Sequence, residues 1–333
     1  MLTLEDKIQK IRIGIAGYGN LGKGVELALA QNPDMQLAAV VSRRPQISVQ
    51  TPNIAVVSPD EAHKLAGSID VMILCGDSAT DLPKQTPSFA RWFHIIDSYD
   101  NHSSIPDHFA AVDNAAKQNG KLGIISVGWD PGLFSINRLY GECLLPQGKH
   151  YTFWGSGVSQ GHSDAVRRIE GIEDAVQYTL PSLKAVEAVR SGTNPQLSTR
   201  QKHKRVCYVV AAPNADRDRI ESEIKTMPAY FAEYDTTVHF VSKQEFAEKN
   251  KGYPHGGFVF RSGTTANRKN GHVIEYSLKL DPNPEFTASV MVAYARAAYR
   301  LASQGCTGCL TVFDIPPAML SVKKPEQIRR ELL

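Results

Sequence analysis

The chain of 333 residues has no apolar run approaching the ~18 residues that a membrane span requires. Its apolar stretches around Val71–Leu74, Val206–Ala212 and Ser289–Ala293 all fall far short. Charge of one sign is also lacking. Against 37 Lys+Arg stand 34 Asp+Glu, and a net charge of +3 does not demand nucleic acid or an anionic membrane as partner. Cysteine is scarce and odd in number, at five, which excludes a disulfide scaffold and fits reduced thiols in a cytoplasmic protein. Met1–Lys10 carries Glu5 and Asp6 and no apolar stretch, unlike a secretory leader. Metal chemistry lacks its usual signatures too. There is no His-Glu-x-x-His, and Cys306-x-x-Cys309 has no second pair, so no metal is expected.

What is present is ordinary globular material, 42% hydrophobic and 21% charged, in a length that predicts about two domains. Residues 11–16 alternate around β-branched side chains and run into Gly17-Tyr-Gly-Asn-Leu-Gly22. Lys23–Gln31 is apolar at helical spacing until Asn32-Pro33 stops it. Strands at Met35–Ser42, Asp70–Cys75, Trp92–Asp97 and Lys121–Val127, with helices at Asp60–Ala66 and Pro106–Asn119, predict an α/β fold, a Rossmann-type doubly wound parallel sheet. From Tyr151 the texture changes. Strands near 151–154, 204–211, 236–241, 258–262 and 271–280, with helices near 164–168, 183–190 and 215–226, predict a second, more antiparallel α+β domain. Glu285–Gln304 reads as a long helix, and the strand-like Gly308–Ile315 is expected to rejoin the first sheet. The expected division is a dinucleotide-binding domain over 1–128, rejoined by about 305–333, and a substrate domain over 129–304.

The glycine pattern gains force from its place between a strand and a helix, where backbone N–H groups and the helix dipole hold a pyrophosphate. Gly17 permits the tight turn, Gly19 the approach of the phosphates, and Gly22 the packing of helix on strand. At the end of the second strand, where an NAD site places Asp or Glu, stand Ser42, Arg43 and Arg44. Two guanidiniums and a hydroxyl suit a 2′-phosphate, so NADP is the expected cofactor.

The loops Cys75–Asp81, Ile96–His102 and Ser126–Gly132 follow successive strands, and in such sheets the C-terminal strand ends face the ligand crevice. Asp100 and Asp130 are therefore candidates to meet a substrate ammonium or to move a proton. Hydride transfer on another amino or hydroxy acid and a non-catalytic NADP sensor remain open at this point.

At these same loops the sequence resembles the meso-diaminopimelate dehydrogenase family, in its substrate-selective branch. The resemblance is carried by Gly17–Gly22, Ser42–Arg44, Tyr99–His102, Gly128-Trp-Asp-Pro-Gly132, Phe134–Arg138, Phe153-Trp-Gly155, Ser159–Asp164, Gln177–Pro181, His203–Arg205, Pro254–Gly257 and Leu280–Pro284. It implies NADP-dependent, reversible oxidative deamination at the D-centre of meso-2,6-diaminopimelate. The product is L-2-amino-6-oxopimelate, which cyclises to tetrahydrodipicolinate, plus ammonia, in lysine and diaminopimelate biosynthesis. It also implies a cytoplasmic homodimer whose second domain carries dimerisation. By the same resemblance Gly17, Tyr18, Gly19, Asn20, Leu21 and Gly22 line the pyrophosphate, and Ser42, Arg43 and Arg44 the 2′-phosphate. Cys75, Gly76, Asp77, Ser78, Ser98, Tyr99, Asp100, Val127, Gly128, Trp129, Asp130 and Pro131 surround the nicotinamide end. Asp100 and Asp130 face the reacting D-centre, while Trp129, Trp154, Gln160 and Gly161 shape the substrate pocket. Thr179, Arg205, His255 and Asn283 hold the distal L-centre. The proton acceptor stays open among Asp100, Asp130 and a water.

Overall fold

The computed structural model describes residues 10–44, 46–249 and 255–333. The leading segment, Pro254 of the Pro254–Gly257 block and the side chain of Gln160 fall outside that description. The chain forms two compact units, one of residues up to Ile136 together with Pro284–Leu333, the other of Asn137–Asn283. No helix among the described residues is long and apolar enough to cross a membrane.

The first unit is built on β1 (Ile11–Ala16), β2 (Met35–Val41), β3 (Ala55–Val57), β4 (Val71–Leu74), β5 (His94–Asp97) and β6 (Leu122–Ile124). A last strand from the returning chain, Gly308–Leu310, pairs in parallel with β6. The spatial order is Gly308–Leu310, β6, β5, β4, β1, β2, β3, and every pairing is parallel. The four residues of β4 are all buried, because helices cover both faces of the sheet and leave no wet side. On one face Ile13, Ile15, Val40, Ile73 and Ile124 pack with Val25 and Leu29 of the helix Asn20–Ala30. Met72, Leu74, Ile95, Phe89, Phe93 and Val112 fill the other.

The helix Asn283–Ser303 was expected with the second domain, but from Pro284 onward it belongs to the first unit. Its stripe of Ala288, Met291, Val292, Ala295 and Ala298 completes the core on the Ile13 face, small side chains allowing close packing. Arg296 fastens it, donating to both carboxylate oxygens of Asp34 at 2.6 and 2.8 Å and to Asn32 at 2.6 Å. The units therefore divide after residues 136 and 283, later than 128 and earlier than 305. The final strand is also shorter than read, because Thr311 caps a 3-10 turn over Val312–Asp314. The helix Leu82–Phe89 is absent from the sequence reading because Pro83 and Pro87 break its pattern.

The second unit holds β7 (Gly148–Trp154), β8 (Gly157–Val158), β9 (Ile172–Pro181), β10 (His203–Ala211), β11 (Asp235–Phe240), β12 (His255–Thr265) and β13 (Asn270–Leu280). They form two sheets, ordered β11-β10-β9-β8 and β13-β12-β7. All pairings are antiparallel except β10 with β11. Val166, Ile220, Ile224 and Phe231 pack on Ala175, Cys207 and Val209 of the four-stranded sheet. Two registers position the site: Arg205 faces Thr179 of β9 on one side and Thr236 of β11 on the other.

Candidate active site

The strand order of the first unit reverses between β1 and β4, the place where open α/β sheets hold their ligands. A cavity of about 290 Å³ opens there, lined by Gly17–Gly19, Ser42–Arg44, Cys75–Asp77 and Asp81 among others. Gly17 has φ +95°, and a Cβ on it would stand 3.1 Å from the main chain of Cys75. A Cβ on Gly22 would stand 2.2 Å from the Gly17 carbonyl, so helix and loop meet only through glycine. Gly19 differs, since nothing lies within 4 Å of where its Cβ would be. The open side leaves room for a pyrophosphate to approach the main chain. No side chain caps the helix that Gly19 opens, which leaves its first N–H groups for a ligand.

Around this loop the side chains are set by internal partners. Tyr18 is buried, its hydroxyl donating to Glu26, and Glu26 also accepts from the Thr51 N–H at 2.5 Å and hydroxyl at 2.6 Å. Burial and the Glu26 bond push the Tyr18 hydroxyl up to about 12. Tyr18, like buried Tyr99 and Val127, thus keeps only its main chain for a cofactor. Arg44 donates to the Tyr18 carbonyl at 2.7 Å, and its N–H donates to the Ser42 hydroxyl at 3.0 Å. Arg43 is 72% exposed and reaches Asp81 at 3.1 Å. The donor set is two guanidiniums beside a hydroxyl with no carboxylate at the strand end, and it fits a 2′-phosphate. Asp77 stands at the edge of this cleft, its Oδ1 accepting from the N–H groups of Ala79 and Thr80 and from the Thr80 hydroxyl. Burial raises the Cys75 thiol, which keeps it protonated.

The loops after β5 and β6 carry Ser98–Asp100 and Val127–Pro131. Asp100 lies at an exposed position, its N–H donating to the Ser78 hydroxyl at 3.2 Å. Desolvation by the surrounding protein lifts its carboxyl above the ordinary range, against the Ser78 bond and His102. Trp129 is buried edge-on against Phe134, centroids 5.2 Å apart. Asp130 follows it in a turn closed by N–H bonds from Leu133 to the Gly128 carbonyl and from Phe134 to the Trp129 carbonyl. Gly132 has φ +131° there, and a Cβ would collide with the Gly128 carbonyl.

In the second unit Thr179, Arg205, Trp154 and His255 come together. Arg205 is 6% exposed and donates to the Thr179 hydroxyl, with the Tyr234 ring 4.1 Å beneath its guanidinium. Among the described residues no carboxylate lies within ion-pair distance of it, and its Nε, the Thr236 hydroxyl and the Gln177 side-chain oxygen Oε1 have no partner. Burial depresses the Arg205 guanidinium. Gly155 and Gly157 bring the segment after Trp154 against this row. A Cβ on Gly155 would stand 2.1 Å from the Thr179 carbonyl, and one on Gly157 would stand 2.5 Å from the His255 ring. Trp154 stacks on His203, centroids 5.3 Å apart, and its N–H donates to His203 Nε2 at 2.8 Å. Gly161 sits near the open N-terminus of the helix Gln160–Arg167, and Asn283 opens the helix Asn283–Ser303.

Sequence reasoning missed several of these. His203 is fully buried and acts as a neutral acceptor, its pKa lowered to about 3 by burial and by Arg205 and Lys202. An aromatic stack and an acceptor for one N–H leave no mark in spacing. Tyr234 is equally silent, because only the fold brings it under Arg205. Gly157-Val-Ser-Gln-Gly161 has the spacing of a hydrolase elbow, yet Ser159 has ordinary extended φ and its partner His162 is depressed to about 4 by burial. Such an imidazole is a weak base. Among the described residues no three His, Cys, Asp or Glu side chains gather as a metal would require.

Comparison with known proteins adds the following. The diaminopimelic acid dehydrogenase C-terminal domain family matches residues 128–282. A meso-diaminopimelate D-dehydrogenase of Ureibacillus thermosphaericus is 60% identical over 329 residues, covering 98% of this chain and all of its own. A solved C. glutamicum DAP dehydrogenase in complex with DAP superposes with a TM-score of 0.92 at 45% identity, over 98% of this chain and 100% of that one. An engineered D-amino acid dehydrogenase bound to NADP+ superposes with a TM-score of 0.87 at 44% identity, over 97% and 100%.

Proposed function

The chain belongs to the meso-diaminopimelate D-dehydrogenase family, and from that premise we propose that it performs NADP-dependent, reversible oxidative deamination of meso-2,6-diaminopimelate at the D-centre, in lysine and diaminopimelate biosynthesis. The observation that carries the substrate half of this reading is Arg205. An unpaired buried guanidinium is costly, and a site that keeps one is built for an incoming anion. A substrate carboxylate bonded by Arg205 and the Thr179 hydroxyl satisfies that charge. His255 and Asn283 complete the hold on the L-centre, with Trp154, Gln160 and Gly161 shaping the space beside it.

Gly17–Gly22 hold the pyrophosphate, Ser42, Arg43 and Arg44 the 2′-phosphate, and the loops Cys75–Ser78, Ser98–Asp100 and Val127–Pro131 the nicotinamide end. When bound, NADP supplies the acceptor for the hydride. Asp100 and Asp130 receive the ammonium of the D-centre. The amine must shed a proton before its carbon gives up hydride, and Asp100, Asp130 or a water beside them takes it. Water then adds to the resulting imine of the substrate, and ammonia leaves as the ketone forms. Handedness enters through the other end of the molecule. A wrong configuration leaves buried polar groups unpaired, at about 1–3 kcal/mol each and more for charges.

The protein is proposed to be a cytoplasmic homodimer, and light scattering tests the dimer. The reaction is tested by initial rates with NADP and each stereoisomer of diaminopimelate, repeated with NAD. Turnover confined to the meso isomer and NADP is expected. Equal turnover of all isomers would remove the clamp from the account, and turnover of none would remove the substrate.

A further inference from the structure

We propose that Asp97 is a positioning residue for the reaction: its buried carboxylate fixes the two loops that carry Asp100 and Asp130. The proposal rests on the dehydrogenase reading above. Asp97 ends β5 with no exposed surface. Its Oδ2 accepts from the Thr86 hydroxyl at 2.8 Å and from His108 Nε2 at 2.7 Å, so one oxygen is anchored to the two helices Leu82–Phe89 and Ile105–Gln118. Its Oδ1 accepts from the N–H groups of Tyr99 at 3.1 Å and Ser126 at 2.9 Å, so the other oxygen holds both loops. The main-chain carbonyl of Asp97 takes the Val127 N–H as well, at 2.9 Å.

The geometry of Ser126 argues for the same role. It has φ +57°, a left-handed conformation that a non-glycine residue keeps only where its surroundings impose it. The Oδ1 of Asp97 is the acceptor that imposes it, because the left-handed turn is what aims the Ser126 N–H inward. On the other loop His108 stacks on the Tyr99 ring, centroids 4.1 Å apart, and Tyr99 directly precedes Asp100. A strand end needing only stability is served by an apolar residue. A buried carboxylate there, with one oxygen on the frame and the other on the loops, is an arrangement for holding two acids in fixed relation.

The test uses the full-length protein. Asp97→Asn turns one acceptor into a donor facing donors, His108→Leu removes the imidazole donor, and His108→Gln keeps an N–H within reach of Oδ2. We measure kcat and KM with meso-diaminopimelate, the Kd of NADP by titration, melting temperature, and amide exchange of 98–100 and 126–130. Asp97→Asn and His108→Leu should lower kcat on the order of 100-fold, the cost of a small misplacement of reacting groups. Exchange should rise in both loops, NADP affinity should fall far less than kcat, and His108→Gln should recover most of kcat. Unchanged kcat in Asp97→Asn, or His108→Gln no better than His108→Leu, would overturn the proposal. Should Asp97→Asn not fold, the two His108 variants decide it. A wild-type protein with no turnover at all defeats the dehydrogenase reading instead, and exchange in the two loops then still reports whether Asp97 holds them.

Discussion

The nucleotide loop and the Arg205 cluster are both proposed to take an anion, and they would do so under opposite conditions. Around Gly19 the donors are main-chain N–H groups and guanidiniums near solvent, Arg43 being 72% exposed, so an unfilled loop costs the fold little. Arg205 is locked into β10 under Thr179 and over Tyr234, with only 6% of the residue exposed. Emptying the first site leaves no buried charge behind, so only the ordinary gain from binding is lost. The second stores an uncompensated charge that its ligand relieves, and binding there is coupled to the stability of the sheet around it.

The sharpest way to break this contrast lies in the glycines. Gly22→Ala drives a Cβ to within 2.2 Å of the Gly17 carbonyl and should lower the melting temperature and abolish NADP binding together. Gly19→Ala meets no atom within 4 Å, so the melting temperature should hold while NADP affinity falls, because the new methyl takes the pyrophosphate's approach. If both variants melt alike, the loop is not the open cradle described. Next in size is Arg205→Leu. It should cost about 2–5 kcal/mol in kcat/KM for meso-diaminopimelate, yet leave the melting temperature of the ligand-free protein equal or higher, since a buried unpaired charge has gone. A large loss of stability would mean that Arg205 is a structural strut.

Acid should separate β10 from β1 rather than one whole unit from the other, since His94 of β5 is also lowered by burial. His203 and His162 are held at about 3 and about 4, burial being the main cause, against 6.5 for a free imidazole. The unfolded chain binds protons on these residues below about pH 6.5 while the folded chain does not. Their contribution is therefore complete above that pH and is lost as pH falls towards 3–4. In the first unit Asp34 is lowered by Arg296, and Glu26 is lowered because bonds from Thr51 and Tyr18 outweigh its burial. Those contributions persist above the ordinary carboxylate range and disappear only as pH falls through the lowered values. Amide exchange at about pH 5 should thus rise in β10 before β1; simultaneous loosening would contradict the assignment. The smallest effect concerns the arginine pair. Arg44, tied to the Tyr18 carbonyl, should lose more NADP affinity on replacement by Ala than Arg43, which is exposed and paired with Asp81, and neither should alter NAD binding. Equal losses for both cofactors would remove the 2′-phosphate from the account.

The same contrast explains what the sequence discloses. A phosphate loop is local: three glycines, a strand before and a helix after lie within a few turns of chain, and each glycine answers a steric need visible in its spacing. Arg205 could be read from pattern as a solvated strand residue, because its partners Thr179, Tyr234 and Thr236 come from other strands and loops. Only register places them together. His203, Asp97 and Glu26 are quieter still, their roles being hydrogen bonds made inside the core. The helix Asn283–Ser303 was legible as a helix, while its membership in the first unit was not, since the Arg296–Asp34 bond spans most of the chain. Resemblance to a family supplied the clamp residues that spacing could not.

The proposed reaction takes hydride from the D-centre of meso-2,6-diaminopimelate and leaves the L-centre intact. It is tested most directly with meso-diaminopimelate deuterated at one α-carbon or the other. Deuterium at the D-centre should appear in the reduced cofactor and slow turnover, and deuterium at the L-centre should remain in the product. Transfer of label from the L-centre would contradict the account.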